Sequence, residues 1–238
     1  PLKMQKRILS QQIVYLVARD EPVVLARFNH IFHFGSHLPI FICAQARTNY
    51  RKDSPDMELF EKTVSSEYKF KGRIINLRYD KVELPDGRVS SREVVEHGGG
   101  VGIVALTDDG EVLLVKQYRH PYAEVVTEIP AGKLEKGEDP LVCGKRELKE
   151  ETGATAENWR SLGRVYPSPG YCSEIIYVYL ATGLDFGEAQ PDEGEFLEPL
   201  KLPLEKAVEA VLGGELPDAK TQAGIMKAKL LLDKGELK

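Results

Sequence analysis

Residues 132–154 read GKLEKGEDPLVCGKRELKEETGA, and five glutamates fall within them: Glu135, Glu138, Glu147, Glu150 and Glu151. The last three are spaced i, i+3 and i+4, so on a helix they share one face, within about 100° of arc. Like charges at that spacing cost a helix ~0.2–0.5 kcal/mol per pair. The helix is nonetheless well marked: Asp139 is placed to cap it, Pro140 suits its first turn and Gly153 can stop it. Leu141 and Leu148 project to a neighbouring face that can pack on a sheet. Three repelling carboxylates on a well-formed helix make a solvated surface or a cation site. Hard divalent cations prefer oxygen ligands, and such an ion turns the repulsion into attraction.

Outward from this stretch the chain reads as strands and turns. Thr63 to His97 is β-rich, and Pro85-Asp86-Gly87 makes a turn between Arg73–Leu84 and Val89–Glu96. Gly98-Gly99-Gly100 breaks the run. Val101–Leu106 and Val112–Val115 flank Thr107-Asp108-Asp109-Gly110, which predicts a second hairpin. Past the glutamates, Leu162–Tyr166 and Glu174–Ala181 read as strands about a Pro-Ser-Pro-Gly turn, and Leu204–Leu212 and Ala219–Asp233 as helices. Strands with one helix between them and others at the end predict an α+β class rather than a doubly wound sheet.

The chain has 238 residues, 42% hydrophobic and 29% charged, the composition of a globular protein with a substantial core. Its net charge of −5 argues against nucleic acid as a partner. No run approaches the ~18 apolar residues that cross a bilayer, so no membrane partner is expected. The three cysteines form no CxxC, which fits a reducing, cytoplasmic setting. Residues 1–56 carry eight Lys/Arg against four Asp/Glu, although the chain as a whole is acidic. They contain neither the serine-rich, acid-poor composition of a transit peptide nor a signal-peptide layout. We expect residues 1–56 to be a dispensable N-terminal extension, with Met57 opening the functional protein. His30, His33 and His37 lie there and are read as ordinary histidines of an accessory segment rather than a metal site.

Gly132, Glu138, Arg146, Glu147, Leu148, Glu150, Glu151, Gly153 and Ala154 fill the pattern G-x5-E-x7-R-E-U-x-E-E-x-G-U, where U is an aliphatic or small apolar residue. This resembles the box of the Nudix hydrolases, which cleave nucleoside diphosphates linked to another moiety and use a divalent metal. The flanks are similar to the ADP-ribose pyrophosphatase subfamily. Arg92-Glu93-Val94-Val95-Glu96-His97, Gln117-Tyr118-Arg119, Glu128-Ile129-Pro130-Ala131-Gly132-Lys133 and Tyr166-Pro167-Ser168-Pro169-Gly170 match its motifs in order.

The resemblance implies a Nudix fold, a mixed β-sheet sandwiched between helices. An N-terminal antiparallel strand subdomain at 57–97 would be exchanged across a homodimer, and 98–238 would be the catalytic domain. It implies Glu147 and Glu151 as metal ligands, joined by Glu150 and the Ala131 carbonyl, with Mg2+ or Mn2+ as the cation. Arg146 would orient the carboxylates. Arg119 would meet the phosphates, with Arg92, Glu93 and Pro169 at the rest of the nucleotide-sugar substrate. The acidic loop would supply a general base, Glu193 ahead of Glu195. The implied reaction splits ADP-ribose into AMP and ribose 5-phosphate. A broad nucleoside-diphosphate-sugar pyrophosphatase is the alternative, and a non-catalytic ADP-ribose sensor a distant third, since a sensor would normally lose box glutamates. Glycines at 98 and 100 and the pair Cys143-Gly144 depart from the usual family residues, which puts local rigidity in question, because glycine lowers helix propensity by ~1 kcal/mol.

Overall fold

The computed structural model describes residues 59–192 and 194–236, all within one unit, Pro55–Lys238. The histidine trio and Glu193 lie outside the described residues.

Three sheets organise these residues. The first is antiparallel, in the order β1 (Lys62–Lys71), β2 (Ile75–Glu83), β3 (Val89–His97). Its second hairpin turns at the Pro85-Asp86-Gly87 signal, where Gly87 takes a φ of 82°. The second sheet is four-stranded: β7 (Ala131–Lys133), β4 (Gly100–Ala105), β9 (Ile176–Phe186), β8 (Ala154–Val165). Only β4 and β9 run parallel, so the sheet is mixed. The third sheet runs β10 (Leu197–Pro203), β5 (Glu111–Arg119), β6 (Glu124–Glu128). With helices α1 (Pro140–Thr152), α2 (Leu204–Gly213) and α3 (Ala219–Asp233), the α+β architecture is as expected.

The expected hairpin of 101–106 with 112–115 is corrected. The chain does turn at Thr107–Gly110, and Leu106 bridges Val112. Beyond that bridge the strands part, because both edges of β4 are already taken by β7 and β9, while β5 pairs with β6 and β10.

Strand β4 is buried throughout, and its two-residue period divides the core. Val101, Ile103 and Ala105 pack with Cys143 and Leu148 of α1. Val104 and Leu106 pack with α2, α3 and β5 through Leu204, Ile225, Ala228 and Leu114. Glycines let both flanking helices approach closely. A Cβ on Gly144 would sit 3.2 Å from Val101 Cγ2, and one on Gly224 would sit 2.8 Å from Val104 Cγ2. The Cys143-Gly144 departure therefore falls on the packed face of α1, where small residues set the distance to the sheet.

Helix α1 has the capping its sequence predicts. Asp139 accepts the N–H groups of Leu141 and Val142 at 2.9 and 3.2 Å, and Gly153 closes the other end in the left-handed conformation. Leu148 is fully buried, whereas Leu141 is only half-buried.

The N-terminal sheet meets the second sheet through the loop after β8. Val95 N–H donates to Tyr171 O at 2.8 Å, and Ser173 N–H donates to Val95 O at 2.9 Å. The turn 167–170 carrying Pro169 thus leads into a segment docked on β3.

Candidate active site

A cleft of about 630 Å³ gathers parts of all three sheets and α1. The glycine run 98–100 lines it, and at Gly99 and Gly100 a side chain has no room. A Cβ on Gly99 would meet Ile175 O at 2.9 Å, and one on Gly100 would meet Gly132 O at 2.8 Å. Glu147 and Glu151 of α1 line it, one helical turn apart and both buried. Ala131 N–H donates to Glu151 Oε2 at 2.9 Å, which brings the residue before the box against its last metal-ligand candidate.

Gly132 has a specific reason to be glycine. A Cβ there would fall 1.8–2.3 Å from the carboxylate atoms of Glu147. The missing side chain is the space that the carboxylate occupies. Gly137, by contrast, serves the loop itself, with a φ of 81°.

Arg146 is the hub of the carboxylates. Its Nη1 donates to Glu147 at 2.8 Å and to Glu150 at 2.9 Å, and its Nε and Nη2 both reach Glu138 at 3.2 Å. Glu138 also accepts the N–H of Glu135 at 2.9 Å, so it closes the entry loop onto the helix. The guanidinium and that N–H hold the Glu138 carboxyl below its ordinary range, and the same hydrogen bond raises Arg146 further. Cys143, buried and facing Glu138 and Glu147, has its thiol pushed up to about 12, so it stays protonated at neutral pH.

The two inner glutamates are shifted the other way from Glu138, upward. Burial pushes Glu151 up to about 8, opposed by the Ala131 N–H and reinforced by the charges of Glu147, Glu195 and Glu128. Burial also raises Glu147, with Arg146 working against it and Glu150 and Glu195 adding to it. Glu195 lines the cleft alongside Asp192, so the acidic loop approaches the box as well as Glu147 and Glu151. Among the described residues no three His, Cys, Asp or Glu side chains already stand at ligand spacing. The carboxylates that could hold a cation are therefore the buried Glu147–Glu151 pair, with Glu150 held on Arg146 and Glu195 within electrostatic reach. An all-oxygen, multiply negative set in a partly dry cleft suits a hard divalent cation. The Gly132 space and the raised carboxyls, which a cation would bring back to the charged form, are the observations that make the fit.

Arg119, at the end of β5, also lines the cleft, with Nε 2.7 Å from Glu128 Oε1. Arg92 and Glu93 do not line it within this chain. Arg92 instead pairs with Glu61, its Nε 2.9 Å from Oε2. Pro169 stays in its turn, while Glu174 and Ile176, just beyond, reach the wall.

Sequence reasoning did not single out Arg73, His97, Glu174 or Lys220, all of which line the cleft. His97 stood inside the Arg92–His97 motif, which was a usable signal. Lys220, within an unremarkable helix, offered none.

A model of the NUDIX domain matches residues 96–223, and a model of the nucleoside diphosphate sugar hydrolase N-terminal domain matches residues 61–95. The chain belongs to the Nudix family and is a hydrolase of that family. Over 174 residues it is 45% identical to an ADP-ribose pyrophosphatase of Bacillus subtilis (strain 168), covering 72% of this chain and 94% of the relative. It is 43% identical over 172 residues to a methanol dehydrogenase activator of Bacillus methanolicus, covering 71% and 93%. A crystal structure of an ADP compounds hydrolase superposes with a TM-score of 0.65 at 21% identity, covering 74% of this chain and 97% of that one, a likeness of fold.

Proposed function

We propose that this chain hydrolyses the diphosphate bond of ADP-ribose, giving AMP and ribose 5-phosphate, with Mg2+ (or Mn2+ in its place) as cofactor. The observation that carries the reading is the presence, in one cleft, of the buried Glu147–Glu151 pair and the Arg119 guanidinium. A diphosphate needs both: a cation site and a fixed positive donor for its oxygens. The 45% identical ADP-ribose pyrophosphatase supports the choice of sugar nucleotide.

In this reading Glu147 and Glu151 would hold the cation, with Glu150 and the Ala131 carbonyl as further oxygen donors. Once bound, such an ion would supply polarisation of a phosphoryl oxygen and a more nucleophilic water. Arg146 keeps Glu150 and Glu138 in register with the helix. Arg119 spends Nε and Nη2 on Glu128, which leaves Nη1 for the substrate's phosphate. Water attacks one phosphorus, the bridging P–O bond breaks with the other phosphate leaving on the bridging oxygen, and Glu195, whose charge already reaches Glu147 and Glu151, accepts the proton of the water. Glu193, the base favoured by the sequence, lies outside the described residues, and both loop glutamates are to be tested.

We place the active form as a homodimer. Phe60, Val64 and Phe70 around and on β1 are more than half exposed, an apolar surface suited to a second subunit. Exchange of the N-terminal strands would also carry Arg92 and Glu93 to the partner's cleft, since they miss their own. We assign the protein to the cytoplasm from its cysteine usage; Cys143 and Cys172 are free.

The test is Mg2+-dependent product release from ADP-ribose, ADP-glucose, UDP-glucose, GDP-mannose and 8-oxo-dGTP. A clear preference for ADP-ribose with AMP as product is expected. Equal rates over the sugars would replace the proposal with a broad nucleotide-sugar pyrophosphatase, and no turnover with any metal would overturn it.

A further inference from the structure

Glu128 carries two cations at once. Arg119 Nε and Nη2 reach its Oε1 at 2.7 and 2.6 Å, and Lys220 Nζ bonds its Oε2. Lys220 also stands 3.1 Å from Asp218 Oδ1. The Glu128 and Lys220 side chains are 2% and 9% exposed, against 38% for Arg119. Lys220 nevertheless lines the cleft together with Arg119.

Local structure gives Lys220 no reason to be there. It lies in the first turn of α3, where the helix dipole disfavours a cation. Burying its ammonium costs solvation, and a buried ion pair is commonly no more stable than an apolar replacement. Thr221 already ties this turn to the residue just after β6, since its Oγ1 accepts the Ile129 N–H at 2.9 Å and donates to Asp218 at 2.6 Å. The charge arrangement is what Lys220 alone supplies. Glu128 and Asp218 are balanced by Arg119 and Lys220, so this end of the cleft sums to zero. Without Lys220 it sums to −1, and Arg119 is left as the one counter-ion of Glu128 among the described residues.

We propose that Lys220 is a positioning residue for the diphosphate. By holding the second oxygen of Glu128, it fixes the carboxylate that aims Arg119 and removes the negative excess that would repel the substrate. This rests on the reading that a diphosphate occupies the cleft.

The experiment compares Lys220→Met with wild type in three readouts: KM and kcat for ADP-ribose, affinity for inorganic pyrophosphate without metal, and affinity for Mn2+ without substrate. We expect KM to rise about tenfold with kcat within about threefold, the mark of lost binding rather than lost chemistry. Pyrophosphate affinity falls in parallel, while Mn2+ affinity holds or rises, because losing a positive charge favours a cation. A purely structural role would lower both affinities together, and that outcome overturns the proposal. So does an unchanged KM and pyrophosphate affinity in folded Lys220→Met, or wild-type protein that binds no pyrophosphate. Should Lys220→Met fail to fold, Lys220→Gln, which removes the charge at a milder change of shape, takes its place: pyrophosphate affinity about tenfold below wild type with Mn2+ affinity held supports the proposal, and pyrophosphate affinity within about threefold of wild type overturns it. Wild-type protein that binds pyrophosphate but leaves ADP-ribose intact would refute the proposed substrate while the pyrophosphate comparison still tests Lys220.

Discussion

Helix α1 and strand β1 break the ordinary rule of burial in opposite senses. On α1, the carboxylates of Glu147 and Glu151 are buried, in a turn where leucines would pack at no electrostatic cost. On β1, every residue from Lys62 to Lys71 is exposed, including Val64, Tyr68 and Phe70. The first surface carries more carboxylates than Arg146 balances, and the second has no apolar cover among the described residues. In our reading each is completed by a partner that its chemistry suits: a divalent cation for the helix and a second subunit for the strand.

The helix side of this contrast breaks hardest at Glu151. Glu151→Gln keeps the shape but removes a charge that the cation requires, and we expect kcat to fall about 10³-fold or more, roughly 4 kcal/mol of transition-state stabilisation. Circular dichroism should show the fold intact. A folded variant with the wild-type rate would remove Glu151 from the site.

Next in size is Gly132→Ala. The new methyl group would overlap the Glu147 carboxylate, so that side chain must leave its place. A 10–100-fold loss in Mn2+ affinity is expected by calorimetry, the range seen when the support of a ligand is disturbed. Unaltered affinity would show that Glu147 does not need this seat.

The pH dependence is smaller but has a definite sign. Glu151 sits near 8 in the folded protein, well above the ordinary ~4.3 of the unfolded chain. Between those values the folded state keeps a proton that the unfolded state has given up. Stability of the metal-free protein from this group is therefore full below about pH 4 and is lost as pH rises toward 8. The cation needs the ionised form, so the rise in Tm on adding Mg2+ should be larger at pH 8 than at pH 6. Equal shifts at the two pH values would mean that Glu151 does not couple to the metal.

Smallest in its effect on the single chain is a change on β1. Val64→Glu with Phe70→Glu alters side chains already in solvent, so we expect the fold to change in stability by less than about 1 kcal/mol. Sedimentation should nevertheless show dimer giving way to monomer. A dimer that survives both changes would put the interface elsewhere.

Legibility in the sequence followed the range of the interactions. Helix α1 could be read to both ends because its caps, Asp139 and Gly153, act within four residues. The Pro85-Asp86-Gly87 hairpin was equally local. The turn at Thr107–Gly110 was also legible, but not where its strands went, since that depends on β7 and β9 occupying the edges of β4. Strand β7 has three residues, too few for a periodic signal. β10 holds Pro199 and Pro203, which suit its place at a sheet edge but argue against a strand on propensity alone. In the site, the box glutamates form one local pattern. The pairing of Glu128 with Lys220 joins residues 92 apart and leaves no trace in either neighbourhood.

The most direct measurement is an anomalous-scattering map from crystals soaked in Mn2+. We predict a peak within ~2.3 Å of oxygens from both Glu147 and Glu151. A map with no peak there, from protein shown to turn over with Mn2+, would contradict the claim that the buried glutamates of α1 exist to hold a cation.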